Sequence, residues 1–163
     1  MVLIRKAEKT DYPKVLELIQ ELAVFEKQPD AVEITVEELI WESSTEPPLF
    51  YCIVAEIDQK IEGMALFYFR FSTWKGRTLH LEDLIVRQPS RGKGIGEALY
   101  CKVMEFARKH NVKRVAWEVL DWNQPAITFY ERTGAKVFDD WRVAHMTEEA
   151  LENYLLSQKS KNE

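Results

Sequence analysis

Leu79-His80-Leu81-Glu82-Asp83-Leu84-Ile85-Val86, followed four residues later by Arg91-Gly92-Lys93-Gly94-Ile95-Gly96, is the stretch from which the rest of the chain can be read. The first run is apolar and strand-like, yet it carries two adjacent carboxylates. The second sets three glycines at alternate positions just ahead of a helical pattern. Glycines leave backbone N–H groups unshielded, so those groups can turn toward a common point where a helix begins. Such a turn is a cradle for phosphate oxygens. Acids out of place beside a phosphate cradle imply a cofactor held next to its chemistry.

Outward from this stretch, bulk properties narrow the class. At 163 residues, with 46% hydrophobic content, six glycines and six prolines, the chain reads as a single globular domain. Residues 1–157 are expected to form that domain and 158–163 a disordered tail. The longest purely apolar run, Met64 to Phe69, is too short to span a membrane. The start, Met1-Val2-Leu3-Ile4-Arg5-Lys6, lacks the pattern of a secretory signal. Cys52 and Cys101 have no metal spacing and read as reduced core or half-core thiols of a cytoplasmic protein. A net charge of −5 disfavours nucleic acid and mildly favours cationic ligands. His80, His110 and His145 are scattered and form no metal set, so no metal is expected.

Residues Val2 to Ala7 read as a first strand, and Thr10-Asp11 precede a helix with Pro13 in its first turn. Val15, Leu18, Ile19, Leu22 and Phe25 fall at helical spacing. Thr35-Val36-Glu37-Glu38 matches a capping box and opens a short second helix. Strands are expected over Phe50 to Ile57, Ile61 to Ser72 and Thr78 to Arg87, the first two joined by a tight hairpin at Asp58-Gln59-Lys60. Ile95 to His110 is a helix with an apolar stripe of Leu99, Val103, Phe106 and Ala107. A strand over Arg114 to Leu120, a helix from Asn123 to Gly134, a strand over Lys136 to Met146 and a helix over Thr147 to Leu156 complete the order. Hairpin strands followed by alternating strands and helices make an α/β (α+β) chain: a mixed sheet flanked by helices.

The glycine turn has competitors. It lacks the spacer and Gly-Lys-Ser/Thr of a P-loop, and position 97 is Glu where the dinucleotide fingerprint needs glycine. An ordinary glycine-rich turn is the remaining alternative. The pattern Arg91-x-x-Gly94-x-Gly96, after a strand and before a long helix, resembles the pyrophosphate loop of the GCN5-related N-acetyltransferase (GNAT) superfamily. A second segment agrees. Asn123-Gln124-Pro125-Ala126-Ile127-Thr128-Phe129-Tyr130, ending at Gly134, is similar to the superfamily's N-x-x-A/S-x-x-x-Y-x-x-x-G helix. Seven residues is nearly two helical turns, so Asn123 and Tyr130 lie on about the same side. Alone, Tyr130 reads as a core aromatic; with the glycine turn, its hydroxyl can protonate a departing thiolate.

On a regular strand, neighbouring side chains point to opposite faces, so Glu82 and Asp83 are not expected to share one site directly. A free alkylamine holds its proton with a pKa of about 10. A carboxylate that binds the ammonium, or takes its proton through water, serves both binding and activation. The alternative is a solvated or ion-paired acid.

The resemblance narrows further. Glu21-Leu22-Ala23-Val24-Phe25-Glu26, Trp74, Leu81-Glu82-Asp83, the glycine turn, Trp122-Asn123-Gln124-Pro125 and Trp141-Arg142 are similar to the diamine (spermidine/spermine) N-acetyltransferases and their thialysine-acetylating relatives. The resemblance implies the GNAT fold, acetyl-CoA as cosubstrate and homodimerisation. Its acceptor is a small-molecule amine, acetylated by direct transfer in a ternary complex. By it, Glu82 and Tyr130 are catalytic, and Phe25, Glu26, Trp74, Glu82 and Asp83 meet the acceptor. The cofactor falls to the backbone of Leu84, Ile85 and Val86, to Arg91, Gly92, Lys93, Gly94, Ile95, Gly96 and Glu97, and to Asn123, Pro125, Ala126 and Tyr130. The chain departs from the polyamine pattern in its short hairpin at Asp58-Gln59-Lys60 and in Phe25, where many members carry Tyr. A protein acetyltransferase and a CoA-binding module without turnover stay open as alternatives.

Overall fold

Extended runs over residues 50–87 become the long strands that their β-branched and aromatic content predicts. The computed structural model of the chain describes residues 1–159. Strands β1 (Leu3–Lys6), β2 (Tyr51–Ile57), β3 (Lys60–Ser72) and β4 (Gly76–Val86) lie side by side, each antiparallel to the last. A short β5 (Val115–Ala116) joins parallel to β4, so the five-stranded sheet is mixed, as expected. The β2–β3 turn is tight because Asp58 and Gln59 take φ of 48° and 63°, the two-residue geometry that matches strand twist.

Helix α1 (Tyr12–Phe25) carries Pro13 in its first turn and buries Tyr12, Val15, Leu18 and Ala23. With α2 (Val36–Ser44), opened by the Thr35–Glu38 capping box, it covers one sheet face over Cys52, Val54, Met64, Leu66 and Ile85. Helix α3 (Ile95–Lys109) buries Ile95, Leu99, Val103 and Ala107. Its Phe106 ring meets those of Tyr51, Phe67 and Phe69 at 4.8–5.8 Å. The core is therefore two apolar layers, one on each side of β2, β3 and β4.

These elements form one compact unit, Met1–Glu118, and a second begins at Val119. The second contains α4 (Gln124–Arg132) and α5 (Glu148–Lys159). Three expectations need correction. No strand forms over Lys136 to Met146. Asp139 interrupts the alternating row Val137, Trp141, Val143, and among the described residues the segment pairs with no strand. The strand expected over Arg114 to Leu120 shrinks to two residues, for a reason that lies in β4. Cys52 is a core thiol, but Cys101, between the buried Leu99 and Val103, faces solvent. In the expected tail, Gln158 and Lys159 belong to α5, and residues 160–163 lie outside the described residues.

Candidate active site

Strand β4 is not regular. Leu66 of β3 stands opposite Asp83 and the next residue, Phe67, opposite Leu81, so Glu82 has no cross-strand partner. This bulge breaks the alternation. Asp83 aligns with Leu66 on the face covered by α1, and Glu82 reaches the Tyr68 hydroxyl and His80 on that same face. The expectation of opposite faces is thus overturned, because it assumed a strand without an inserted residue. Beyond His80, β4 and β5 no longer pair. The backbone edge of Leu84, Ile85 and Val86 away from β3 is not covered by a strand among the described residues. Pairing ends where the bulge bends the strand, which also explains why β5 is so short.

Around the bulge gather three acids. Asp83 is half-buried, and loss of solvent, then the charges of Glu82 and Glu26, push its carboxyl up to about 7. Desolvation at the end of α1 also raises the Glu26 carboxyl. Glu82 keeps a side chain 49% exposed, with Oε2 accepting a hydrogen bond from Tyr68 Oη at 2.8 Å. Three carboxylates crowded on one face, one of them holding its proton near neutrality, make a site that a cation relieves. The resemblance gives Glu82 the catalytic role, whereas burial raises the carboxyl of its neighbour Asp83.

The glycine turn lies at the other end of β4. Gly92 and Gly94 adopt φ of 74° and 78°, and a Cβ on either would meet nothing within 4 Å. Among the described residues, the N–H groups of residues 92–97 donate to no backbone acceptor, the first such bond being Ala98 N–H to Gly94 O. Free donors, left-handed backbone and open space at the start of α3 fit a pyrophosphate. Arg91 turns inward: its Nε donates to Val86 O at 2.8 Å and its guanidinium lies 5.6 Å from the Phe25 ring centre. Lys93 Nζ folds back onto Pro89 O. Arg87 pairs with Glu17 and Glu21, and Gln88 N–H donates to Glu21. The turn is thereby tied to α1, the helix that carries Phe25 and Glu26, a linkage that sequence spacing does not reveal.

Trp74 stands apart. It is 81% exposed at the tip of the β3–β4 turn. Glu82 is six residues beyond Gly76, roughly 20 Å along the strand, so within one chain Trp74 does not join the acids. In the second unit, Asn123 Oδ1 accepts from Ala126 N–H and caps α4, with Pro125 in the first turn and Tyr130 half-buried beyond it.

Sheet, glycine turn and capped helix define an acyl-CoA-dependent transferase fold, and comparison with known proteins agrees. The acetyltransferase (GNAT) family matches residues 12–135, and the chain belongs to that family. A thialysine N-epsilon-acetyltransferase of Bos taurus is 40% identical over 143 residues, 83% of this chain and 84% of that protein. A Homo sapiens spermidine/spermine N(1)-acetyltransferase-like protein 1 is 36% identical over 81% of this chain and 20% of its own length. An integron cassette protein from the mobile metagenome of V. cholerae shares the fold, with a TM-score of 0.76 at 23% identity, covering 94% of this chain and 97% of that one.

Proposed function

We propose that the chain, acting as one catalytic domain over residues 1–157, transfers the acetyl group of acetyl-CoA to a primary amine of a small cationic acceptor. The acceptor class is thialysine-like or diamine. The observation that carries this reading is the acidic group Glu26, Glu82 and Asp83 at the bulge, on the strand that leads to the glycine turn. Relatives that acetylate thialysine support it. Phe25, on the same helix end as Glu26, packs by Arg91 against the turn and forms an apolar wall of the acceptor site.

In this reading the ammonium is drawn to the three carboxylates, and Glu82 takes one of its protons, directly or through water. The neutral nitrogen attacks the thioester carbonyl carbon, the C–S bond breaks, the thiolate leaves with a proton from Tyr130, and the second proton lost by the nitrogen passes through water to restore the phenol. Acetyl-CoA, the second substrate, is held by the turn amides at its pyrophosphate. The open β4 edge at Leu84 to Val86 holds its amides, and Asn123, Pro125 and Ala126 at the start of α4 contact the cofactor as the family resemblance implies. Ile85 turns its carbonyl oxygen toward Gly63 of β3 and the Val86 carbonyl is already taken by Arg91, so the outward groups of Leu84 and the Val86 N–H carry most of that contact. The enzyme works as a cytoplasmic homodimer; among the described residues no helix is long and apolar enough to cross a membrane. Sizing at several concentrations tests the dimer.

The deciding experiment measures free CoA thiol with acetyl-CoA and putrescine, spermidine, spermine, lysine or thialysine. Release with an amine confirms the reading, whereas tight acetyl-CoA binding with no release from any acceptor overturns it. Tyr130→Phe should lower kcat by about 10²- to 10⁴-fold at unchanged acetyl-CoA affinity.

A further inference from the structure

Glu82 is held from one side only. Tyr68 and His80 are direct cross-strand partners, their rings 5.3 Å apart, and both address the same carboxylate oxygen. Tyr68 Oη donates to Glu82 Oε2 at 2.8 Å, and His80 Nε2 lies 3.4 Å from that atom. Oε1 accepts no bond among the described residues, on a side chain that is half exposed. We propose that Tyr68 and His80 are positioning residues that pin Glu82 by Oε2 and so reserve Oε1 for the proton of the acceptor amine. The proposal rests on the acceptor-site reading above and names which oxygen does the work.

The chemistry of each partner supports the assignment. Burial, and then the bond to Glu82, push the Tyr68 phenol up to about 12, so it remains a donor across the working range. His80 is buried, 7% exposed, and its Nδ1 has no hydrogen-bond partner among the described residues. A proton on Nδ1 would be a buried donor without an acceptor, and it would leave a bare lone pair at Nε2 facing a carboxylate. The tautomer with the proton on Nε2 avoids both, directing an N–H toward Oε2. A carboxylate with one oxygen satisfied from two sides cannot rotate freely. Its remaining lone pairs keep one direction, and direction is what proton transfer in a ternary complex needs.

The test uses the full-length enzyme with thialysine as acceptor and four variants: Glu82→Gln, Tyr68→Phe, His80→Phe and His80→Gln. Tyr68→Phe should lower kcat by about tenfold, the loss of one hydrogen bond to a charged group, with acetyl-CoA affinity unchanged. His80→Phe should lower kcat as well, and His80→Gln, which restores an N–H near the position of Nε2, should recover most of it. In the Glu82→Gln background, Tyr68→Phe should have no further effect, because there is no carboxylate left to aim. Wild-type kcat in Tyr68→Phe, with Glu82→Gln impaired, overturns the positioning role while leaving Glu82 in place. Wild-type kcat in Glu82→Gln removes the acceptor-site reading itself. If the His80 variants fail to bind acetyl-CoA, the Tyr68–Glu82 cycle still decides.

Discussion

Asparagine at position 83 isolates the price of burying one carboxyl among two others. Asp83 moves from an ordinary 3.8 to about 7, so the folded chain binds a proton there that the unfolded chain has already released. The sign follows: below the unfolded value both states are protonated and Asp83 is neutral to stability. As pH rises through the window, the unfolded state gains. Each pH unit inside the window shifts the balance by about 1.4 kcal/mol, so crossing it removes about 4 kcal/mol from folded-state stability. Asp83→Asn cannot ionise and loses this dependence. Urea unfolding from about pH 4 to about pH 8 should therefore show the variant gaining on the wild type by up to about 4 kcal/mol, with the slope between the two pKa values. Parallel stability profiles, agreeing within about 0.5 kcal/mol, would refute the burial of a titrating Asp83.

Two further substitutions probe the scaffold. Gly94→Ala at φ 78° should cost about 1 kcal/mol of stability from the left-handed backbone, whereas acetyl-CoA affinity, read by calorimetry, should fall at least about tenfold as the methyl fills the anion's space. Gly63→Ala puts a Cβ 2.8 Å from the Ile85 carbonyl oxygen and 3.2 Å from Leu99 Cδ1. It should lower stability by about 1–3 kcal/mol in chemical denaturation.

Strands and helices that obey one period are legible in the sequence. α1 and α3 show their buried stripes, the Asp58-Gln59 turn announces its hairpin, and Thr35 and Asn123 cap the helices that follow them. The glycine turn is equally plain, because positive φ at Gly92 and Gly94 is a local demand met by composition. What local pattern does not reveal is an unpaired residue. The bulge at Glu82 is a property of two strands together, set where Leu66 and Phe67 of β3 meet β4, so alternation along β4 alone assigns Glu82 and Asp83 to different faces. The pairing of Tyr68 with His80, and the ties from Arg87 and Gln88 to α1, depend on register and tertiary contact for the same reason. Lys136 to Met146 fails oppositely: apolar content suggests a strand, but a strand also needs a neighbour for its backbone groups.

The bulge also makes β4 sensitive to length in a way that it is not sensitive to composition. Residues 76–81 and 83–86 pair with β3 in two different phases, and Glu82 is the single residue that offsets them. Removing any one residue between Leu81 and Leu84 would bring the strand into one phase and align the remaining acid with the regular ladder. Inserting one would turn the following side chains through the sheet. Substitutions along this strand alter the chemistry of the acceptor site one group at a time. Single-residue insertions and deletions would instead shift the acids and the approach to the glycine turn together, so the segment should accept changes of residue far more readily than changes of length.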